Sequence, residues 1–147
     1  MFRTLIIGAV SALTLSAAAL AQQGGTPQQA RAMLDKAVAA VKADQAVALA
    51  TFLKGEGGFL DRDLYPFCFR NADGKLLVSP KAVQAGTDIR SLKDANGSAY
   101  GEAIYAAAQK PEGQITEVAA YMFPKPDTTA PTFPKISFVT NTTSITA

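Results

Sequence analysis

Histidine and tryptophan are both missing from this chain, and Cys68 is its only cysteine. Without an imidazole there is no Ser-His-Asp or Cys-His relay and no histidine-based zinc site. A single thiol cannot close a disulfide within the chain, so packing has to hold the fold. An excess of one charge is also lacking: 14 basic residues stand against 12 acidic ones, scattered along the sequence. That leaves no basic stripe for a phosphate backbone and no polybasic patch for a membrane surface. Glu102, Glu112 and Glu117 sit at no spacing that suggests an acid–base dyad. Asp61, Asp63, Asn71 and Asp73 do not fit a calcium loop. The expectation is a protein that is not an enzyme, with no catalytic residues, no metal, no cofactor and no nucleic-acid partner.

Only one apolar run is long, Leu5 to Leu20, and its 16 residues fall short of the roughly 18–20 that a spanning helix requires. Met1-Phe2-Arg3 gives it a positive start, and Ala19-Leu20-Ala21 matches the small-x-small pattern before a signal-peptidase cut. Residues 1–21 therefore read as a signal peptide, with an uncleaved anchor as the rival reading. Cleavage removes Arg3 alone among the 14 basic residues, leaving 13 against 12 acidic. Residues 22–147 are then expected to form one domain, periplasmic or secreted, with no membrane span.

Within that domain, Thr26-Pro27-Gln28-Gln29 carries the signs of a helix start: an N-cap, a proline at the first position, and a glutamine closing a capping box. Apolar residues then recur at helical spacing from Met33 to Leu53, up to Gly55, predicting one helix of about 28 residues. In "DLYPFCFRNADGKLLVSP", Tyr65, Phe67 and Phe69 alternate with Pro66, Cys68 and Arg70, the period of a strand with one buried face. Asn71-Ala72-Asp73-Gly74 supplies the turn, and Lys75–Ser79 the returning strand. Cys68, one position off the aromatic row, is expected to face the helix as a small hydrophobe. Further on come an irregular stretch, a short helix through Tyr100, Ile104 and Tyr105, and strands at Ile115–Phe123 and Lys135–Thr140. In the first of these strands Glu117, Ala119, Tyr121 and Phe123 would share a face. This order specifies an α+β fold, with helices covering an antiparallel sheet.

The sequence resembles the single Cache domain of type 2, found in bacterial extracytoplasmic sensors. The matching stretches are "DLYPFCFRNADGKLLVSP", "AGTDIRSLKDANGSAYGEAIYAAA", "GQITEVAAYMFPKP" and "PTFPKISFVT", in that order. The resemblance implies a PAS-like antiparallel sheet with the long N-terminal helix packed on one face and a small-molecule pocket against the other. It also suggests a freestanding exported member. Two departures stand out. Many members carry a histidine near the position of Ser79-Pro80. They also usually close with a glycine- and aromatic-rich strand, where this chain has the polar "NTTSITA" after Thr140. A natural end, a truncation and a shifted frame are all open as readings of that altered last strand; if it is missing, a sheet edge is open.

Seven residues are the candidates for ligand contact: Tyr65, Phe67, Arg90, Asp94, Tyr121, Phe123 and Lys135. Tyr65 and Tyr121 are phenols that need partners when buried. Phe67 reads first as core, and Phe123 as pocket wall. Lys135 supplies a compact cation for a carboxylate in an apolar cleft; its rival reading is a solvated strand end. Arg90 offers a bidentate grip or pairs with Asp88 or Asp94 nearby. Asp94 ties its own turn or meets a ligand amine. The expected function is extracytoplasmic binding of a small organic acid in a sensory setting. The alternative is a protein-interaction accessory of a membrane sensor with no ligand of its own.

Overall fold

The computed structural model describes residues 24–79, 83–124 and 132–142. Thr26 begins the first helix as its sequence requires. Its hydroxyl accepts from the Gln29 N–H, and the Gln29 side chain accepts from the Thr26 N–H. This helix, α1 (Pro27–Ala43), does not run on to Lys54. Asp44 leaves helical geometry at φ −159° and ψ 103°, and its carboxylate accepts from the Val47 N–H to cap a second helix, α2 (Gln45–Lys54). Aspartate competes for backbone donors inside a helix and satisfies them at its start, so the expected single helix divides there. Gly55, left-handed at φ 67°, ends α2.

Strands β1 (Cys68–Phe69) and β2 (Leu76–Val78) form an antiparallel hairpin. The Arg70 N–H donates to the Lys75 carbonyl across a turn in which Gly74 adopts φ 72°. Tyr65–Phe67 precede this short ladder without a strand partner. The far edge of β2 is already covered, since the Leu76 N–H donates to the Thr87 carbonyl and its own carbonyl accepts from the Gly86 N–H. A 3₁₀ turn at Ile89–Ser91 follows, then α3 (Tyr100–Ala108). Gly101 lets α3 sit directly on that turn: a Cβ at this position would lie 1.8 Å from the Ile89 carbonyl oxygen.

Strands β3 (Thr116–Pro124) and β4 (Thr132–Val139) pair antiparallel. Even alternation along β3 does not hold. Val118 pairs with Ser137 and Tyr121 with Lys135, so three steps on β3 match two on β4. This β-bulge moves Val118 and Tyr121 to the same buried side and leaves Glu117 and Ala119 exposed. Ala120, at φ 21°, takes up the extra residue.

The β-layer consists of two separate two-stranded ribbons. On one face Ala37, Val41, Ala48 and Phe52 pack with Phe59 and Val78, and half-buried Cys68 joins them as anticipated. On the other, Phe69, Leu76, Ile89, Ile104, Tyr121 and Val139 form a second core. The architecture is the expected α+β, PAS-like plan with the N-terminal helical segment on one face. Among the described residues no helix is long and apolar enough to cross a membrane. The leader, the 125–131 connection and residues 143–147, to which the signal-peptide and most of the altered-terminus readings refer, lie outside the described residues.

Replacing Gly101 with alanine should force α3 off the Ile89 turn and cost about 1–3 kcal/mol or more. Urea unfolding followed by circular dichroism checks this, with Ala103→Ser on the exposed side of the same helix as a control expected to change little.

Candidate functional site

Two cavities meet at the β-layer. The larger, about 140 Å³, lies between α1 and the two ribbons. The smaller, about 30 Å³, lies between the layer and α3. Tyr65, Phe67 and Tyr121 wall both. The hairpin supplies the first two from its unpaired approach, and the β3 bulge brings the third into phase. On the α3 side, Tyr100 stacks on Tyr121 with ring centroids 4.3 Å apart, and Phe123 meets both edge-on at 6.1 Å. These rings occupy most of the hollow expected on the tyrosine-bearing face. The open space lies instead between the ribbons.

Lys135 lines the larger cavity. Its Nζ lies 4.1 Å from the centroid of the Tyr65 ring and 6.0 Å from that of Phe123, and donates a 3.0 Å hydrogen bond to the Asp63 carbonyl. Two aromatic faces and one carbonyl replace water poorly, and desolvation brings its pKa down from 10.5 to about 8. Among the described residues no carboxylate forms an ion pair with it. Tyr121, 5% exposed, shares a 2.7 Å hydrogen bond with Ser137 Oγ. Burial raises the Tyr65 and Tyr121 phenols and pushes Tyr100 up to about 12, so these hydroxyls stay protonated at neutral pH.

Arg90 and Asp94 lie outside both cavities. Arg90 pairs with Asp88, donates to the Asp73 carbonyl and lies 4.9 Å from the centroid of the Tyr105 ring. Asp94 accepts from the backbone N–H groups of Met122, Asn96 and Ser98, which holds its pKa below the usual range and ties its turn to β3. Tyr65, Phe67, Tyr121 and Lys135 are thus brought together, with Phe123 behind the Tyr121 ring. Sequence reasoning passed over Ser137, whose signal was its place two residues after Lys135 on the same face of β4. It also passed over Tyr100, on the buried side of α3 with Ile104. Cys68 lines the larger cavity, and burial pushes its thiol up to about 12, away from thiolate chemistry. No group of three or more His, Cys, Asp or Glu that could hold a metal occurs among the described residues.

Residues 7–144 match the sequence model described as single Cache domain 2. The chain belongs to this family. Cache domains are generally extracellular sensory modules that bind small molecules. None of the curated proteins and none of the solved structures matches the chain.

Between about pH 8 and pH 10.5 the unfolded chain keeps a proton on Lys135 that the folded chain releases, so stability should rise with pH as this window is entered. From about pH 9 the buried Cys68 thiol, and above about pH 10 the raised phenols, act the other way, because in each case the unfolded state ionises first. Thermal unfolding from pH 7.5 to 9 should therefore show a rise for the natural protein that Lys135→Met abolishes.

Proposed function

We propose that this Cache domain is an extracytoplasmic receptor for a small organic acid, with the acid's carboxylate against Lys135. The observation that carries the reading is the half-buried ammonium, which has lost water and, among the described residues, forms no close ion pair, the Asp63 carboxylate favouring its charge only from a distance. An anion entering the cleft would restore its lost stabilisation in a medium where charge pairs are strong. Tyr65 and Tyr121 could donate to further oxygens of the same ligand, and the apolar walls would bury its carbon skeleton. A membrane sensor is the natural recipient of the bound state. The family setting supports binding in preference to catalysis.

A second reading, an accessory docked on an envelope sensor without its own ligand, is favoured by the ring stack that fills the α3-side hollow. A thermal-shift screen separates the two. Millimolar acetate, propionate, pyruvate, succinate and malate should include at least one that raises the melting temperature by mass action, and Lys135→Met should remove the shift. Below about pH 8 the apparent affinity should be flat, and above it weaken by about tenfold per pH unit as free Lys135 loses its proton. No shift with any acid, in a protein that pulls down an envelope partner, supports the second reading.

A further inference from the structure

A lysine becomes a nucleophile when it can shed its proton at working pH and when its nitrogen is held facing open space. Lys135 is positioned by β4, where Tyr121 of β3 is its partner across the ladder. Its Nζ is anchored by one hydrogen bond, 3.0 Å to the Asp63 carbonyl, and lies 4.1 Å from the centre of the Tyr65 ring. A neutral amine still has two N–H donors, so it keeps that bond and gains a lone pair for the cavity that Lys135 lines.

Few groups set the charge on this nitrogen. The Asp63 carboxylate favours the ammonium from a distance, for it accepts from the Gly25 N–H at 2.6 Å and, among the described residues, forms no ion pair with Lys135. Tyr65 and Tyr121 stay neutral phenols, and Cys68 a neutral thiol. Desolvation outweighs Asp63. With a pKa of about 8, roughly one Lys135 in ten is a free amine at pH 7, against about one in three thousand for an unperturbed lysine.

A proton donor lies on the same wall. The buried hydroxyls of Tyr121 and Ser137 both line the larger cavity and share a single 2.7 Å hydrogen bond. Two hydroxyls carry two protons and the shared bond uses one, so the other remains for a further acceptor.

We propose that Lys135 is a covalent anchor that condenses reversibly with the carbonyl of a 2-oxo acid to form an imine. The proposal rests on the organic-acid reading and narrows it to acids with a carbonyl next to the carboxylate. The Nζ lone pair bonds to the carbonyl carbon while the carbonyl π pair moves to oxygen. Both amine protons then pass to that oxygen, which leaves as water, and the C=N bond takes its place. A proton from solvent converts the imine to an iminium, so the cation is kept beside the ligand's own carboxylate. A simple aldehyde or ketone would leave the iminium in an aromatic-walled space with no close counter-charge. The spare hydroxyl proton supplies a donor to the carbonyl oxygen as charge develops on it.

The test incubates the full chain at pH 7 with pyruvate and sodium cyanoborohydride, which reduces an iminium to a stable secondary amine. Mass spectrometry of the intact protein should show one adduct, and peptide mapping should place it on Lys135. The exposed Lys36, Lys54 and Lys93 should react at least about tenfold more slowly. Lactate, with a hydroxyl in place of the carbonyl, should give no adduct. Without reductant, thermal-shift titration should give pyruvate an apparent affinity at least about tenfold above that of lactate, a preference that Lys135→Arg erases. Absence of an adduct, an adduct spread evenly over exposed lysines, or equal affinities for pyruvate and lactate would overturn the proposal. Stabilisation by both acids without an adduct would do so and leave the organic-acid receptor standing, whereas stabilisation by no acid would remove both.

Discussion

A lysine ammonium gives up much of its hydration when it enters a space walled by aromatic rings, and the arrangement around Lys135 answers that cost only in part. The Tyr65 and Phe123 rings offer their negative faces, and the Asp63 carbonyl accepts one hydrogen bond. The charge balance of the cleft depends on this contact, and the lysine arm also links the ribbons at one end by reaching from β4 to the approach of β1. The same side chain therefore serves as a tie between halves of the β-layer and as its most reactive electrostatic feature. Any group that satisfies the ammonium better than the carbonyl does will compete with the tie.

Local irregularities decide which side chains surround that cation. The bulge in β3 rotates Tyr121 into the row that opposes Lys135, where its hydroxyl meets Ser137. Gly101 brings α3 close enough for Tyr100 to lie flat on Tyr121. Asp94 then fastens the turn before α3 to the β3 backbone at Met122. Each device is small, and together they place three rings and one cation within a few ångströms.

Much of this was legible from residue order. The Thr26 capping box and the turn between Arg70 and Lys75 follow from side chains that leave the backbone few alternatives. The element order indicated the α+β class, and the aromatic row of the hairpin pointed to Tyr65 and Phe67. Two features escaped periodicity. Asp44 fits an otherwise continuous helical pattern, and only its capping strength reveals the break. A bulge changes the phase of a strand without changing its composition, so the partner row of Tyr121 could not be read from β3 alone. Pocket placement was harder still, because Arg90 and Asp94 have the right chemistry for ligands and find nearer partners in Asp88 and in backbone amides. The split into two ribbons depends on long-range pairing, which leaves little trace in local sequence.

The position of Cys68 has a consequence for how this molecule matures. Its thiol lies against the α1–α2 side of the layer and resists ionisation, so it is a slow partner for thiol exchange. With a single thiol, no disulfide within the chain has to form on the way to the native state. A swing in ambient redox poise should pass over the fold without altering it, and a reducing or an oxidising milieu would yield the same packed domain.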